Sequence, residues 1–181
     1  MLAASLVMFC RITIALLLLY SGGSKLLSWR DFAVTIGDFK LFPRRLSKPV
    51  AYLFVASEFM TMILAVIGGV VLPAAFLLAM LLLVGFSSAL ASALWRKLDL
   101  HCNCFGRTER RISSYDLIRN LLLIVCSLTG LCLAGFATTN LSVGEIILLA
   151  LMSAVLLLIV IQLRDIVETL WHSFPVPGER I

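Results

Sequence analysis

The chain alternates between long apolar stretches and short polar ones, and the apolar stretches share nearly one length. They fall at about residues 4–22, 50–70, 73–95, 115–136 and 143–163. A helix of about twenty apolar residues crosses a hydrocarbon core about 30 Å thick. The Leu, Ile, Val and Ala runs lack the in–out alternation of barrel strands. In lipid, backbone amides must be satisfied within a helix or a closed barrel. The pattern therefore predicts an all-α fold, a polytopic membrane helical bundle of about five transmembrane helices. Residues 1–174 read as a single transmembrane domain, followed by a short C-terminal tail at 175–181.

The segments between spans add detail. Trp29, Phe32, Ile36 and Phe39 recur at helical spacing among Arg30, Asp31, Asp38 and Lys40. That periodicity predicts a short interfacial helix with its apolar face toward the membrane. Ser21-Gly22-Gly23-Ser24 reads as the end of the first span. Gly68, Gly69 and Pro73 predict a tight turn with proline in the next helix's first turn, and Thr138-Thr139-Asn140 a second turn. Arg164 to Phe174 reads as a separate amphipathic piece. The stretch up to Tyr20 lacks a basic region ahead of its apolar run, so it is expected to be a retained helix rather than a signal peptide.

Composition sharpens the class. The chain is 61% hydrophobic and 14% charged, against roughly half and a quarter in soluble domains. Its net charge of +5 is read as an orientation signal, with no nucleic-acid partner implied. Every Lys and Arg except Arg11 and Arg119 falls in the first loop, the third loop or the C-terminal segment. The positive-inside rule then places the C-terminus and the third loop in the cytoplasm and the N-terminus outside.

That third loop carries His101-Cys102-Asn103-Cys104-Phe105-Gly106, flanked by Arg96, Lys97, Arg107, Arg110 and Arg111. Neighbouring cations favour thiolate over thiol, and the thiolate is the nucleophile. A disulfide across one intervening residue is strained, and a strained disulfide is readily reduced. Cys102 and Cys104 are therefore the candidate exchanging pair, with Arg107 and its neighbours lowering their pKa. A zinc site using His101 competes poorly, because structural zinc takes four ligands at wider cysteine spacing. Iron–sulfur ligation and a pair of incidental loop residues are further alternatives. No metal or cofactor is expected, and the histidines that haem would need are lacking.

Within the spans, Cys10, Cys126 and Cys132 read first as small hydrophobic residues. Cys10 and Cys132 share a depth on the face opposite the motif, which makes them the candidates for a second redox pair. Charged residues inside a span cost about 2.5–3.5 kcal/mol each on insertion scales, so they pair or face a cavity. The expected arrangement is a Glu58–Arg119 contact with Lys25 nearby, beneath the cysteine loop. Arg11 lies near the other face, where Glu145 is its acidic candidate.

Taken together, these elements resemble the MauE family of methylamine-utilisation membrane proteins, within the wider DoxX-like group. The resemblance rests on Arg11, Ser21-Gly22-Gly23-Ser24-Lys25-Leu26, Glu58 followed by Gly68-Gly69, Cys102-x-Cys104-Phe105-Gly106, and Arg119-Asn120. It runs from Arg11 to about Leu163. Asn103 stands where such proteins more often carry glycine, and both thiols remain. The resemblance implies a role in maturing an exported, disulfide-rich client such as the methylamine dehydrogenase small subunit, beside a thioredoxin-like MauD-type partner. A direct disulfide donor to that client should face the periplasm, whereas the charge pattern puts the motif in the cytoplasm. Either the basic cluster serves thiol activation, or electrons are relayed outward through Cys10 and Cys132. The alternative from another class is a non-catalytic assembly or transport factor for the same kind of client.

Overall fold

The computed structural model describes residues 2–39, 43–96, 114–136 and 142–173. Six helices follow in order: α1 (Leu2–Leu27), α2 (Trp29–Asp38), α3 (Ser47–Ile67), α4 (Leu72–Trp95), α5 (Ser114–Leu133) and α6 (Val143–Ser173). Single 3-10 turns sit at Arg44–Leu46, Gly69–Val71 and Ala134–Phe136, and the described residues contain no strand. Five of the helices, all but α2, are long and apolar enough to cross a membrane. They coincide with the five apolar stretches of the sequence. The expected turn at 138–140 and the tail at 175–181 lie outside the described residues.

Helix α1 lies at the middle of the bundle, against α3, α5 and α6, while α4 packs extensively on α5 and also on α3. Its buried residues Val7, Cys10, Ile14, Leu17, Ser21 and Lys25 recur every three or four positions, which keeps one stripe facing inward. The stripe begins apolar and ends polar, and the polar end becomes the site. On the outside, Leu53, Leu81, Leu121, Leu148 and Leu158 are exposed around the circumference, as suits side chains in contact with lipid.

Several boundaries differ from the sequence pattern, each for a physical reason. Helix α1 does not stop at Gly22-Gly23 but continues to Leu27. Gly22 is a packing position: a Cβ there would sit 3.0 Å from Cε2 of Phe59 on α3, so the missing side chain lets two spans approach closely. Helix α3 begins at Ser47, ahead of Pro49, because a proline in the first turn removes no hydrogen bond the helix would have made. Arg164 to Ser173 continues α6 as one helix rather than forming a separate piece. Helix α2 forms as expected, but its apolar face is covered by protein. Phe32 and Ala33 are buried with Ala51 and Val55 of α3, and Trp29 and Ile36 pack at the margin.

Polar contacts inside the bundle are few and local to helix ends or interfaces. Thr13 of α1 donates a hydrogen bond to Ser153 of α6 at 3.1 Å. Ser142 and Glu145 form a reciprocal capping box at the start of α6: the Ser142 N–H donates to Glu145 Oε2 at 2.8 Å, and the Glu145 N–H donates to Ser142 Oγ at 3.4 Å. Glu145 is thereby committed, and it is not the counter-charge of Arg11. The Arg11 guanidinium instead donates to the carbonyls of Ala65 and Val66, both at 2.6 Å. These carbonyls end α3, where the helix dipole is negative and the backbone oxygens lack intrahelical partners. A cation from α1 thus closes the end of α3.

Gly68 makes this closure fit. It has φ 70° and ψ −150°, a region essentially confined to glycine, and a Cβ there would lie 2.7 Å from Cζ of Arg11. Gly68→Ala should destabilise the bundle by about 1–3 kcal/mol. In thermal unfolding of the detergent-solubilised protein, the cost of Gly68→Ala together with Arg11→Ala should fall short of the sum of the single costs, because both act on one contact. An unchanged melting temperature for Gly68→Ala would contradict this assignment.

Candidate functional site

The last two turns of α1 place Ser21 and Lys25 four residues apart on the inward stripe. Opposite them, α3 presents Phe54 and Glu58 at the same spacing. Lys25 and Glu58 form an ion pair through Nζ and Oε1, with side chains only 2% and 5% exposed. Ser21 Oγ ties the two together. It accepts a hydrogen bond from Lys25 Nζ at 2.8 Å and donates one to Glu58 Oε1 at 3.0 Å.

Three aromatic rings surround the ammonium. Nζ of Lys25 lies 4.7 Å from the ring centre of Phe54, 5.4 Å from Phe32 and 5.7 Å from Phe86. The negative faces of aromatic rings attract a cation, by about 2 kcal/mol or more when it is desolvated. Two of the three N–H bonds of Lys25 are used by Ser21 and Glu58, and the rings provide the rest of its shell. The carboxylate neutralises the charge, so neither ion enters the membrane interior uncompensated. Because Phe32 is on α2, Phe54 on α3 and Phe86 on α4, the ammonium of α1 joins four helices.

A fifth helix reaches the same place. Asn120 of α5, 1% exposed, lines a small cavity with Ser21, Lys25, Phe54, Glu58 and Phe86. Arg119, next to it, does not contact Glu58 as the sequence suggested. Its guanidinium is directed to Asp116, one turn back on α5, at 3.7 Å. Equal depth suggested a Glu58–Arg119 contact, but Asn120, not Arg119, lines the cavity beside the acid. Lys25, expected only as a neighbour, is the partner.

The cysteines are also rearranged relative to expectation. Cys10 is buried in the apolar core of the bundle, and Cys126 of α5 packs against that core. Both therefore belong to one core cluster, formed where α1 meets α5. Cys132, expected to pair with Cys10, is exposed. Six residues separate Cys126 from Cys132, so the two lie on different faces of the helix. Cys102, Cys104 and Arg107 lie outside the described residues. The helices on either side of them end at Trp95 and begin at Ser114, and those helices pack against each other.

Sequence reasoning missed Ser21, Phe32, Phe54 and Phe86 as parts of the site. The usable signal was the repeated four-residue spacing, Ser21 to Lys25 and Phe54 to Glu58, which sets a polar and an aromatic group beside each charge. The thiol arrangement makes a direct prediction. In variants retaining only two cysteines, a membrane-permeant oxidant should form an intramolecular disulfide with Cys10 and Cys126 and none with Cys10 and Cys132, as read by mass spectrometry of proteolytic fragments. The reverse pattern would overturn the relative placement of α1 and α5.

No curated protein and no solved structure matches the chain significantly. Among protein families, the one described as methylamine utilisation protein MauE matches residues 3–133. The match spans α1 to α5 and includes Lys25, Glu58, Asn120 and the intervening cysteine motif. With five spanning helices and a match over well more than half its length, this multi-pass membrane protein belongs to the MauE family, whose members take part in methylamine utilisation.

Proposed function

We propose that the protein supports maturation of an exported, disulfide-rich client by thiol–disulfide exchange at Cys102 and Cys104, in concert with a thioredoxin-like partner. The observation that carries this reading is the cysteine pair itself. Two thiols one residue apart lie among five basic side chains, in a segment whose two ends are held by the packed helices α4 and α5. The chemistry balances without an added redox group. One thiolate attacks a disulfide of the partner to give a mixed disulfide and release one thiol. The second cysteine then displaces the other sulfur, leaving Cys102–Cys104 oxidised and the partner carrying two thiols. Run backwards, the same steps oxidise the partner. Arg107 and its neighbours stabilise the attacking thiolate, and the helices on either side of the segment meet the Lys25–Glu58 pair through Phe86 of α4 and Asn120 of α5.

The distribution of basic residues supports an orientation in the inner membrane with the N-terminus outside and the motif in the cytoplasm. In that orientation an exported client is reached only by relay, and the inner pair of such a relay is Cys10 with Cys126. Cys126 lies twelve residues beyond Ser114, about 18 Å along α5. That is too far for direct exchange from the start of the helix, so a relay requires a carrier between the two pairs. If the motif faces outward, exchange with the partner is direct and the basic cluster serves only to activate the thiols.

Side-resolved labelling combined with trapping tests the proposal. In cells producing client and partner, Cys102→Ser and Cys104→Ser should each reduce client maturation to background. One of the two should accumulate a mixed disulfide with the thioredoxin-like partner, visible without reductant and absent with it. Arg107→Gln should slow maleimide labelling of the remaining thiol at neutral pH. A membrane-impermeant maleimide then reports the face on which the motif lies. Full client maturation in both Cys→Ser variants would sink the exchange mechanism and leave a non-catalytic assembly factor.

A further inference from the structure

We infer that the cavity beside the Lys25–Glu58 pair is a binding site for one ordered water molecule, which bridges Glu58 of α3 to Asn120 of α5. Two buried polar atoms of its lining residues have no protein partner, Oε2 of Glu58 and Nδ2 of Asn120. Both residues line the cavity, and both are more than nine-tenths buried. Leaving such groups unpartnered in an apolar interior is unfavourable, and more so for a charged oxygen. A water molecule satisfies an acceptor and a donor at once, donating to the carboxylate and accepting from the amide.

Size decides the ligand class. The cavity has a volume of about 20 Å³. One water needs about 10–15 Å³ by that measure, whereas an aromatic ring needs a cavity on the order of 150 Å³. The space therefore admits a single water and excludes a quinone ring or a lipid headgroup. Ser21 and Glu58 Oε1 are already satisfied by Lys25 and by each other, so the water is directed to the two remaining atoms.

The consequence is a continuous polar chain through the bundle: Ser21 and Lys25 on α1, Glu58 on α3, the water, and Asn120 on α5. Helix α5 packs on α1 and α4 but scarcely touches α3, so the bridge supplies the polar link between α3 and the helix that follows the cysteine motif.

The test uses nuclear magnetic resonance on the full chain in lipid nanodiscs. The sequence has three asparagines, Asn103, Asn120 and Asn140. With Asn103→Ser and Asn140→Ser, asparagine-selective nitrogen-15 labelling reports the Asn120 side chain alone. The expected result is a through-space cross-peak from the Asn120 amide protons to water, with the sign of a long-lived bound molecule. It should be lost when Glu58→Leu removes the acceptor. An ordered Asn120 amide signal with no water cross-peak would overturn the inference, as would a cross-peak that survives Glu58→Leu unchanged. The two loop substitutions alone suffice for the first criterion, so the test stands even where Glu58→Leu fails to fold.

Discussion

The bundle is organised around one charge that cannot be left alone. Lys25 sits in the apolar interior at 2% exposure, and in that setting an unneutralised ammonium costs several kcal/mol. Glu58 supplies the opposite charge, Ser21 fixes the geometry, and three phenylalanines fill the remaining shell. Together these contributions come from four helices, α1 to α4. Satisfying the ammonium therefore sets the rotation of α1 and α3 and draws in α2 and α4. Helices in lipid gain no hydrophobic drive toward one another, so a buried polar contact of this kind can specify which faces meet.

The two cations of α1 are handled by different physics. Arg11, near the start of α1, is spread over two backbone carbonyls at the end of α3. A planar guanidinium suits that fork of acceptors, whereas the compact ammonium of Lys25 suits a single carboxylate and the faces of rings. Both contacts join α1 to α3, one near each end. Between them the interface is small and apolar, with Gly22 admitting the ring of Phe59. This pair of helices thus forms a frame, and α5 leans against it through Asn120 and Cys126.

The five spans and the interfacial helix were legible because a charge-free run of twenty residues has few physical solutions. Helix partners were less so. Depth along a span can be counted from its end, and depth alone paired Glu58 with Arg119 and Cys10 with Cys132. Contact also requires the right face, and a difference of one residue turns a helix by about 100°. Asn120 and Cys126 face inward, and Arg119 and Cys132 do not oppose the expected partners. Gly22 misled in another way. A glycine after a long apolar run reads as a stop, whereas in a membrane bundle it also serves close packing. The motif at Cys102 and Cys104 was found from sequence and remains the chemical centre of the proposal.

The most direct test of this account is a double-mutant cycle on Lys25 and Glu58, followed by reversible unfolding in mixed micelles. Lys25→Met or Glu58→Leu alone strands one buried charge and should cost about 3–5 kcal/mol. Making both changes removes the pair as a unit and should recover most of that loss, giving a large coupling between the two sites. Single costs that simply add in the double variant would show that the two side chains do not depend on each other, and the ion pair would not be the constraint around which the helices are arranged.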